Sequence, residues 1–409
     1  MPLVVVMVTT SYPRFPGDSV GTFMEPIAKG VAARGHEVHI VAPWHPRITR
    51  GKSEDGVFFH FFHYAPVPAL NVFGYAAGLQ ADVKLKGSAW MAAPLAMAAG
   101  WFKAMRVAQK RRAHVMHGHW VVPGGVIAAA AQPQLPLVVS LHGSDVFVAE
   151  RTPPARAAAR RVFARAGAVT ACSEDLARRA VALGADAARL EVVPYGVDTS
   201  RFAPDVHARA RARAEAGIAA DRTLVVAAGR LVRKKGFEYL IDAMAHVPDA
   251  HLVIAGAGDL GKELQARAVS AGLARRSHFL GDVSQDTVAR WFSAADVVAI
   301  PSVRDDSGNV DGLPNTVLEA MASGTAVVAT PAGGIGTVVA HEQTGLLVPE
   351  RDAAALGAAV ARLAADPALR GRLGDAGRAL LAARFGWDAT AARFEAAYDR
   401  ALAFKSLTR

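Results

Sequence analysis

Short apolar runs punctuate the first half of the chain at Leu3–Val8, Val38–Ala42, Leu137–Leu141 and Ala168–Cys172, with alanine-rich helical stretches such as Phe23–Arg34 between them. Runs of that length, separated by helical periodicity, predict buried strands of a parallel sheet covered by helices on both faces. A polar, arginine-rich stretch, Asp205–Glu215, interrupts the rhythm. It restarts with Leu224–Ala228, Leu252–Ala255, Phe279–Leu280, Val297–Ile300, Ala326–Ala329 and Leu346–Val348, which predicts a second domain of the same α/β class. Pro194-Tyr195-Gly196-Val197-Asp198 reads as a strand exit and turn, placing the joint near Pro194–Pro204. After Phe385-Gly386, Trp387–Ala403 regains helical periodicity and is free to pack on either domain. The expected division is 1–200, 201–385 and a terminal helix, 386–409, that can cross back to the first domain.

Composition agrees with two full cores. A chain of 409 residues exceeds the size at which one core usually stops growing, and 52% apolar against 20% charged residues describes a globular protein. The lone cysteine, Cys172, excludes an intrachain disulfide framework and fits a reducing compartment. Met1–Thr10 lacks the basic segment of a secretory signal, so the expected location is cytoplasmic, with room for peripheral contact on the inner face of the membrane.

A net charge of +10 suits nucleic acid, anionic lipid or a phosphate-rich ligand. No helix-turn-helix pattern, zinc knuckle or aromatic-basic stripe accompanies it, so nucleic acid is not an expected partner. Ser88–Phe102 carries no charge and is flanked by Lys84, Lys86, Lys103, Arg106, Lys110, Arg111 and Arg112. It falls short of the ~20 apolar residues needed to span a bilayer. Two readings stay open, a helix on the sheet with a solvated basic end and an interfacial helix at a membrane surface. The aromatic cluster Phe58, Phe59, Phe61, Phe62 and Tyr64 tips the balance toward a lipid-linked acceptor, though it equally suits a strand.

In open α/β sheets ligands bind beyond the carboxyl ends of strands, which directs attention to five segments. Gly229-Arg230-Leu231-Val232-Arg233-Lys234-Lys235-Gly236 leaves Leu224–Ala228 and enters the helix Phe237–Ala245. Cations at such a turn make a diphosphate site, with Arg230 and Lys235 as clamps, whereas the competing reading is a basic loop in water. Gly256 and Gly258 follow the next strand and permit close backbone approach to a ligand or form a tight turn. Pro301-Ser302 opens a polar loop that leads through Asp311, Gly312, Leu313, Pro314 and Asn315 into the helix Asn315–Ala322. Asp311 stands ahead of that helix, and Glu319 lies one turn inside it, in an apolar context where an idle buried carboxylate would be expensive. The opposing readings are a helix cap and an exposed helix residue.

The other two segments belong to the first domain. Ser140-Leu141-His142-Gly143-Ser144-Asp145 ends a strand and offers His142 for hydrogen bonding or proton exchange, although the same residues suit a structural turn. Gly17–Thr22 follows the first strand, with Gly21 opening a helix like a nucleotide-binding turn, but the dinucleotide glycine pattern and the ribose-binding acid are missing.

Together these segments resemble glycosyltransferase family 4. The resemblance spans nearly the whole chain: Arg34-Gly35-His36-Glu37-Val38, His117-Gly118-His119-Trp120, Leu141 through Asp145, Pro194 through Asp198, Gly229-Arg230 with Lys235-Gly236, and, most specifically, Asp311 through Gly324. It implies a GT-B fold, two doubly wound Rossmann-like domains facing each other across a deep cleft, with the acceptor bound by the first domain and a nucleotide diphosphate sugar by the second. It further implies transfer with retention, without a metal or other cofactor, to a glycan or lipid-linked acceptor in cell-surface polysaccharide or glycolipid synthesis. Glu319 would hold the ribose, Asp311 would approach the sugar hydroxyls, Arg230 and Lys235 would neutralise the diphosphate, and the backbone after Gly312 would border the sugar. His142 would reach toward the reacting centre, with His119, Trp120, Ser144 and Asp145 beside it on the acceptor side. Asp305-Asp306 is not read as a metal pair. The chain departs from the family pattern at Asp311, where glutamate is usual, and at Tyr195, where asparagine is frequent and a hinge role is expected. A nucleotide-sugar epimerase and a non-catalytic nucleotide-sugar-binding protein at the membrane surface are the alternative readings.

Overall fold

The computed structural model describes residues 1–18, 20–65, 71, 74–75, 79–80, 84–85 and 87–407. The chain divides into two compact units, Met1–Tyr195 with Trp387–Arg409, and Gly196–Gly386. The first break therefore falls within Pro194–Pro204, and the terminal helix, Trp387–Leu407, belongs to the first unit.

In unit 1 the strands are β1 (Val4–Val8), β2 (Glu37–Pro43), β3 (Ser53–Glu54), β4 (Val57–Phe62), β5 (Leu79–Gln80), β6 (Lys84–Leu85), β7 (Val115–His119), β8 (Leu137–Leu141), β9 (Ala168–Ala171) and β10 (Leu190–Val192). Eight of them form one sheet in the order β10-β9-β8-β7-β1-β2-β4-β3, and β5 pairs with β6 apart from it. Every ladder of the large sheet is parallel except β3 with β4, a hairpin that closes one edge. The aromatic cluster is part of this sheet. Phe59 and Phe62 are buried, Phe59 meets Tyr12 with ring centroids 5.2 Å apart, and Phe58 meets His39 at 5.0 Å. Those rings are used in packing, so they no longer argue for a lipid acceptor.

Unit 2 consists of β11 (Leu224–Ala228), β12 (His251–Ala255), β13 (Ser277–Gly281), β14 (Val297–Ile300), β15 (Ala326–Ala329) and β16 (Leu346–Leu347), ordered β13-β12-β11-β14-β15-β16 and parallel throughout. Counted along the chain this is 3-2-1-4-5-6, the doubly wound order of dinucleotide-binding sheets. The chain thus adopts the expected α/β class with two Rossmann-like domains. The arginine-rich stretch is not a linker. Asp205 caps the helix Val206–Glu215 by accepting from the backbone N–H groups of His207 and Ala208, and Arg209 and Arg213 both bind Asp296, at 2.7 and 2.6 Å.

The terminal helix completes unit 1 by burying one face there. Phe394 and Tyr398 are buried, the Thr390 hydroxyl donates to the Pro194 carbonyl, and a Cβ on Gly167 would come within 2.7 Å of Ala401 Cα. The uncharged stretch begins inside a 24-residue helix, Gly87–Lys110, whose Gly100 rests on Phe62 and Ile127. Lys86 and the side chain of Lys84 lie outside the described residues. Among the described residues, no helix is long and apolar enough to cross a membrane.

Candidate functional site

Strand order in unit 2 dictates where a ligand fits. The winding reverses between the neighbours β11 and β14, so the loops leaving their carboxyl ends diverge and open a crevice. The loops are Gly229–Gly236 and 301–314, and backbone contacts fix them to each other. Val303 N–H donates to the Lys234 carbonyl at 2.8 Å. Gly236 adopts φ 64°, and a Cβ there would fall 1.9 Å from the Pro301 carbonyl oxygen, so only glycine lets the two loops meet. Gly229 gives room to Lys235, whose Cε would lie 3.4 Å from a Cβ at that position.

Gly256 and Gly258 serve the same loop from below. Cβ atoms there would lie 1.9 Å from the Gly229 carbonyl oxygen and 2.5 Å from that of Leu231, while Gly229 and Leu231 donate to the carbonyls of Ala255 and Ala257. The close approach expected of these glycines is made by the chain's own backbone. Gly21, the other glycine candidate, adopts φ 66° before the helix Met24–Ala33 of unit 1 and is not among the residues that unit 2 assembles.

Asp311, on the 301–314 loop, meets two cations of the Gly229–Gly236 loop. Its Oδ1 lies 3.1 Å from Lys234 Nζ and its Oδ2 2.6 Å from Lys235 Nζ, with all three side chains between 12% and 15% exposed. Burial alone would raise the pKa of Asp311, but the two ammoniums reverse this and hold it well below the usual carboxylate range. Behind it stands Gly333, where a Cβ would press on the Asp311 carbonyl oxygen at 2.0 Å. Arg230 is exposed, yet desolvation lowers its pKa, and Asp259 and Asp311 are the carboxylates that pull it back.

Glu319 behaves oppositely to Asp311. It lies in the second turn of the helix Asn315–Ala322, beyond buried Gly312, Leu313 and Pro314, and burial pushes its pKa up to about 7 against the pull of Lys235 and Arg201. The pKa values of two carboxylates eight residues apart are thus driven in opposite directions by their surroundings, a pattern typical of ligand sites. Of the residues singled out in the sequence, Lys235 and Asp311 are paired, Asp311 acts electrostatically on Arg230, and Lys235 acts electrostatically on Glu319. Lys234 joins them, unmarked in the sequence because it is one of three consecutive cations. Asp305 and Asp306 are spent elsewhere: Asp305 Oδ1 accepts from Ser307 and Asn309, and Asp306 binds Arg351. Among the described residues no group of three or more His, Cys, Asp or Glu side chains is arranged to hold a metal ion.

In unit 1, three histidines line up across the sheet. His142 Nε2 lies 3.1 Å from His119 Nδ1, the His119 and His117 rings are 4.1 Å apart, and His117 binds Tyr398 and Ser140 at 3.0 and 2.7 Å. The other His142 nitrogen, Nδ1, is 2.7 Å from the Tyr195 hydroxyl, and its ring packs on Phe23 and Trp120. Burial holds His142 and His117 well below the ordinary imidazole value and lowers His119 to about 3, so all three are neutral. Both nitrogens of His142 are therefore engaged, and proton exchange there requires one partner to release it. Tyr195, expected to serve a hinge, is the last residue of unit 1 before the break and also orients His142.

The neighbouring acceptor-side candidates divide. Asp145 is structural: it is 2% exposed, Oδ1 accepts from the backbone N–H groups of His142 and Gly143, and Oδ2 accepts from that of Val121. His119 is fully buried, and Ser144 starts the helix Ser144–Arg151. Trp120 is held at φ 64°, a conformation unusual outside glycine and common where a side chain must be aimed.

The family description "Glycosyl transferases group 1" matches residues 208–380, and "Glycosyltransferase Family 4" matches residues 20–201. A GDP-mannose-dependent alpha-(1-6)-phosphatidylinositol monomannoside mannosyltransferase of Mycolicibacterium smegmatis is 37% identical over 262 residues, which cover 63% of this chain and 68% of that protein. A D-inositol 3-phosphate glycosyltransferase of Jonesia denitrificans is 32% identical over 310 residues, 70% of this chain and 71% of that protein. Among solved structures, sucrose-phosphate synthase from Thermosynechococcus elongatus aligns with a TM-score of 0.81 at 23% identity, covering 98% of this chain and 99% of that one.

Proposed function

The chain belongs to glycosyltransferase family 4 and is a nucleotide-sugar-dependent glycosyltransferase of GT-B fold, and from that premise we propose that it moves mannose from GDP-mannose to an inositol-containing lipid or inositol phosphate, retaining the anomeric configuration. The pairing of Lys235 with Asp311 at the switch point of unit 2, with Arg230 and Glu319 under their electrostatic influence, carries this reading. The similarity to relatives that use GDP-mannose or act on inositol compounds supports the choice of donor and acceptor.

In the proposed reaction the cations stabilise the departing diphosphate, charge that develops as the bond to the anomeric carbon breaks. The reading therefore requires no divalent metal. No side chain is assigned as nucleophile. The leaving phosphate takes the acceptor's proton on the face it departs from, so the new bond forms on that same face. Glu319 accepts from the ribose hydroxyls, and neutral His142, aimed by Tyr195, supplies a hydrogen-bonding edge on the acceptor side. Peripheral contact with the membrane, through the helix Gly87–Lys110, would bring a lipid-linked acceptor within reach.

The test is transfer from GDP-mannose to phosphatidylinositol mannoside and to inositol phosphate, followed by mass spectrometry and anomer analysis, with EDTA present. The expected product retains the donor's anomeric configuration, and Lys235→Ala lowers turnover about a hundredfold, the effect of losing one transition-state charge stabiliser. Full turnover in Lys235→Ala, or an inverted product, would overturn the reading.

A further inference from the structure

The residue pattern shared with the family accounts for two cations at the diphosphate, Arg230 and Lys235. The structure contains a third beside them. Arg233–Lys235 form a single 3₁₀ turn, in which successive side chains diverge by about 120° at 3.0 residues per turn. Lys234 and Lys235 nonetheless end on the two oxygens of one carboxylate, at 3.1 and 2.6 Å. Two like charges are thereby held side by side in one partly buried place, where a ligand phosphate would be attracted by both.

The surroundings favour that anion. The loops carrying the three residues leave β11 and β14, the strands at the switch point, and are joined by the bond from Val303 N–H to the Lys234 carbonyl. Lys234 is 13% exposed, so it reaches inward instead of extending into solvent as an ordinary surface lysine does. Aspartate also suits this arrangement better than a contact with the sugar, because both of its oxygens are occupied by lysines. An ammonium has three N–H donors, enough to hold Asp311 and a phosphate oxygen together.

We propose that Lys234 is a third phosphate-binding cation of the donor site, and that Asp311 is a positioning residue that sets Lys234 and Lys235 side by side to grip the diphosphate. This rests on the reading of the crevice as the donor site. Asp311 then acts through the lysines, and its shortness relative to glutamate keeps both ammoniums against the loop.

Calorimetry with GDP, GMP, UDP and UMP tests the proposal on the full chain and on Lys234→Met, Lys234→Arg, Lys235→Met and Asp311→Asn. Lys234→Met should weaken the better-bound diphosphate by about tenfold or more, the worth of one charge-assisted hydrogen bond, while changing affinity for its monophosphate far less. Lys234→Arg should recover most of that loss. Asp311→Asn separates the two roles open to the carboxylate. A positioning carboxylate makes the variant bind diphosphate more weakly even though a negative charge has been removed, whereas a carboxylate that merely opposes the ligand makes it bind more tightly.

Unchanged diphosphate affinity in Lys234→Met with weakened affinity in Lys235→Met would overturn the third cation and leave the donor site standing. Tighter binding by Asp311→Asn would overturn the positioning role. Diphosphate binding indifferent to both lysines, or absent from the unaltered protein, would remove the donor site and this inference together. Retained monophosphate affinity certifies that each variant is folded.

Discussion

Glu319 is a carboxylate placed where an ionised group is disfavoured, and its environment makes its chemistry pH-dependent. Its pKa rises from 4.5 to about 7 because burial outweighs Lys235 and Arg201. Below 4.5 the group is protonated whether the protein is folded or not. Between 4.5 and 7 only the folded state keeps the proton, so this contribution to stability is lost as pH rises through about 7, by up to roughly 3 kcal/mol at ~1.4 kcal/mol per unit. Glu319→Gln should therefore melt above the unaltered protein at pH 8 and alike at pH 4. Ribose hydroxyls donate best to the ionised carboxylate, so GDP affinity should strengthen from pH 6 to 8 and be flat in the glutamine variant. Thermal unfolding and calorimetry across that range check both, and parallel pH profiles for the two proteins would show that Glu319 is an ordinary solvated residue. The sequence exposed this residue because Val317, Leu318, Ala320, Met321 and Ala322 surround it with apolar side chains. It could not reveal that Asp311 binds two lysines, since only the meeting of the β11 and β14 loops brings them together.

Elements were legible wherever their side chains were apolar, and hidden where polar groups satisfy one another inside the fold. Val115-Met116-His117-Gly118-His119 reads as a polar motif, yet all five residues are buried in β7, because His117 finds Ser140 and Tyr398 and remains neutral. The helix Gly87–Lys110 shows the reverse. Its sequence pointed to two fates, and its exposed face now carries Leu95 at 60%, Trp101 at 40% and Phe102 at 49%, followed by Arg106, Lys110, Arg111 and Arg112. No acidic residue occurs from 87 to 112. An apolar half followed by a basic half suits insertion of Leu95 and Phe102 among the headgroups of an anionic leaflet, with roughly 1 kcal/mol from each nearby cation. The protein should cosediment with phosphatidylglycerol vesicles and much less with phosphatidylcholine. Replacing Leu95 and Phe102 together by serine should reduce partitioning about tenfold or more, given ~1.5–3 kcal/mol for each large side chain buried. Equal partitioning by that double variant would assign the face to water.

At the scale of the molecule, the two units were readable from their repeated strand rhythm, but the return of the terminal helix to unit 1 depends on packing partners distant in sequence, such as Gly30 against Ala391 and Gly167 against Ala401. The division has a consequence for acid stability. In unit 1, burial holds His39, His45, His60, His117, His119 and His142 below their ordinary values, with His60 at about 4 and His119 at about 3. Unfolded histidine protonates near 6.5 while these do not, so their contribution to stability is present above that pH and is lost as pH falls toward 4. Unit 2 contains two such histidines, His251 and His278, and Glu319 opposes them by favouring the folded state on acidification. Lowering the pH from 7.5 to 5 should therefore open unit 1 well before unit 2. Hydrogen exchange of the intact protein, read peptide by peptide, should show β7, β8 and the Trp387–Leu407 helix losing protection first while β11 and β14 keep theirs. Earlier loss in unit 2 would mean that charges other than these buried histidines govern its response to acid.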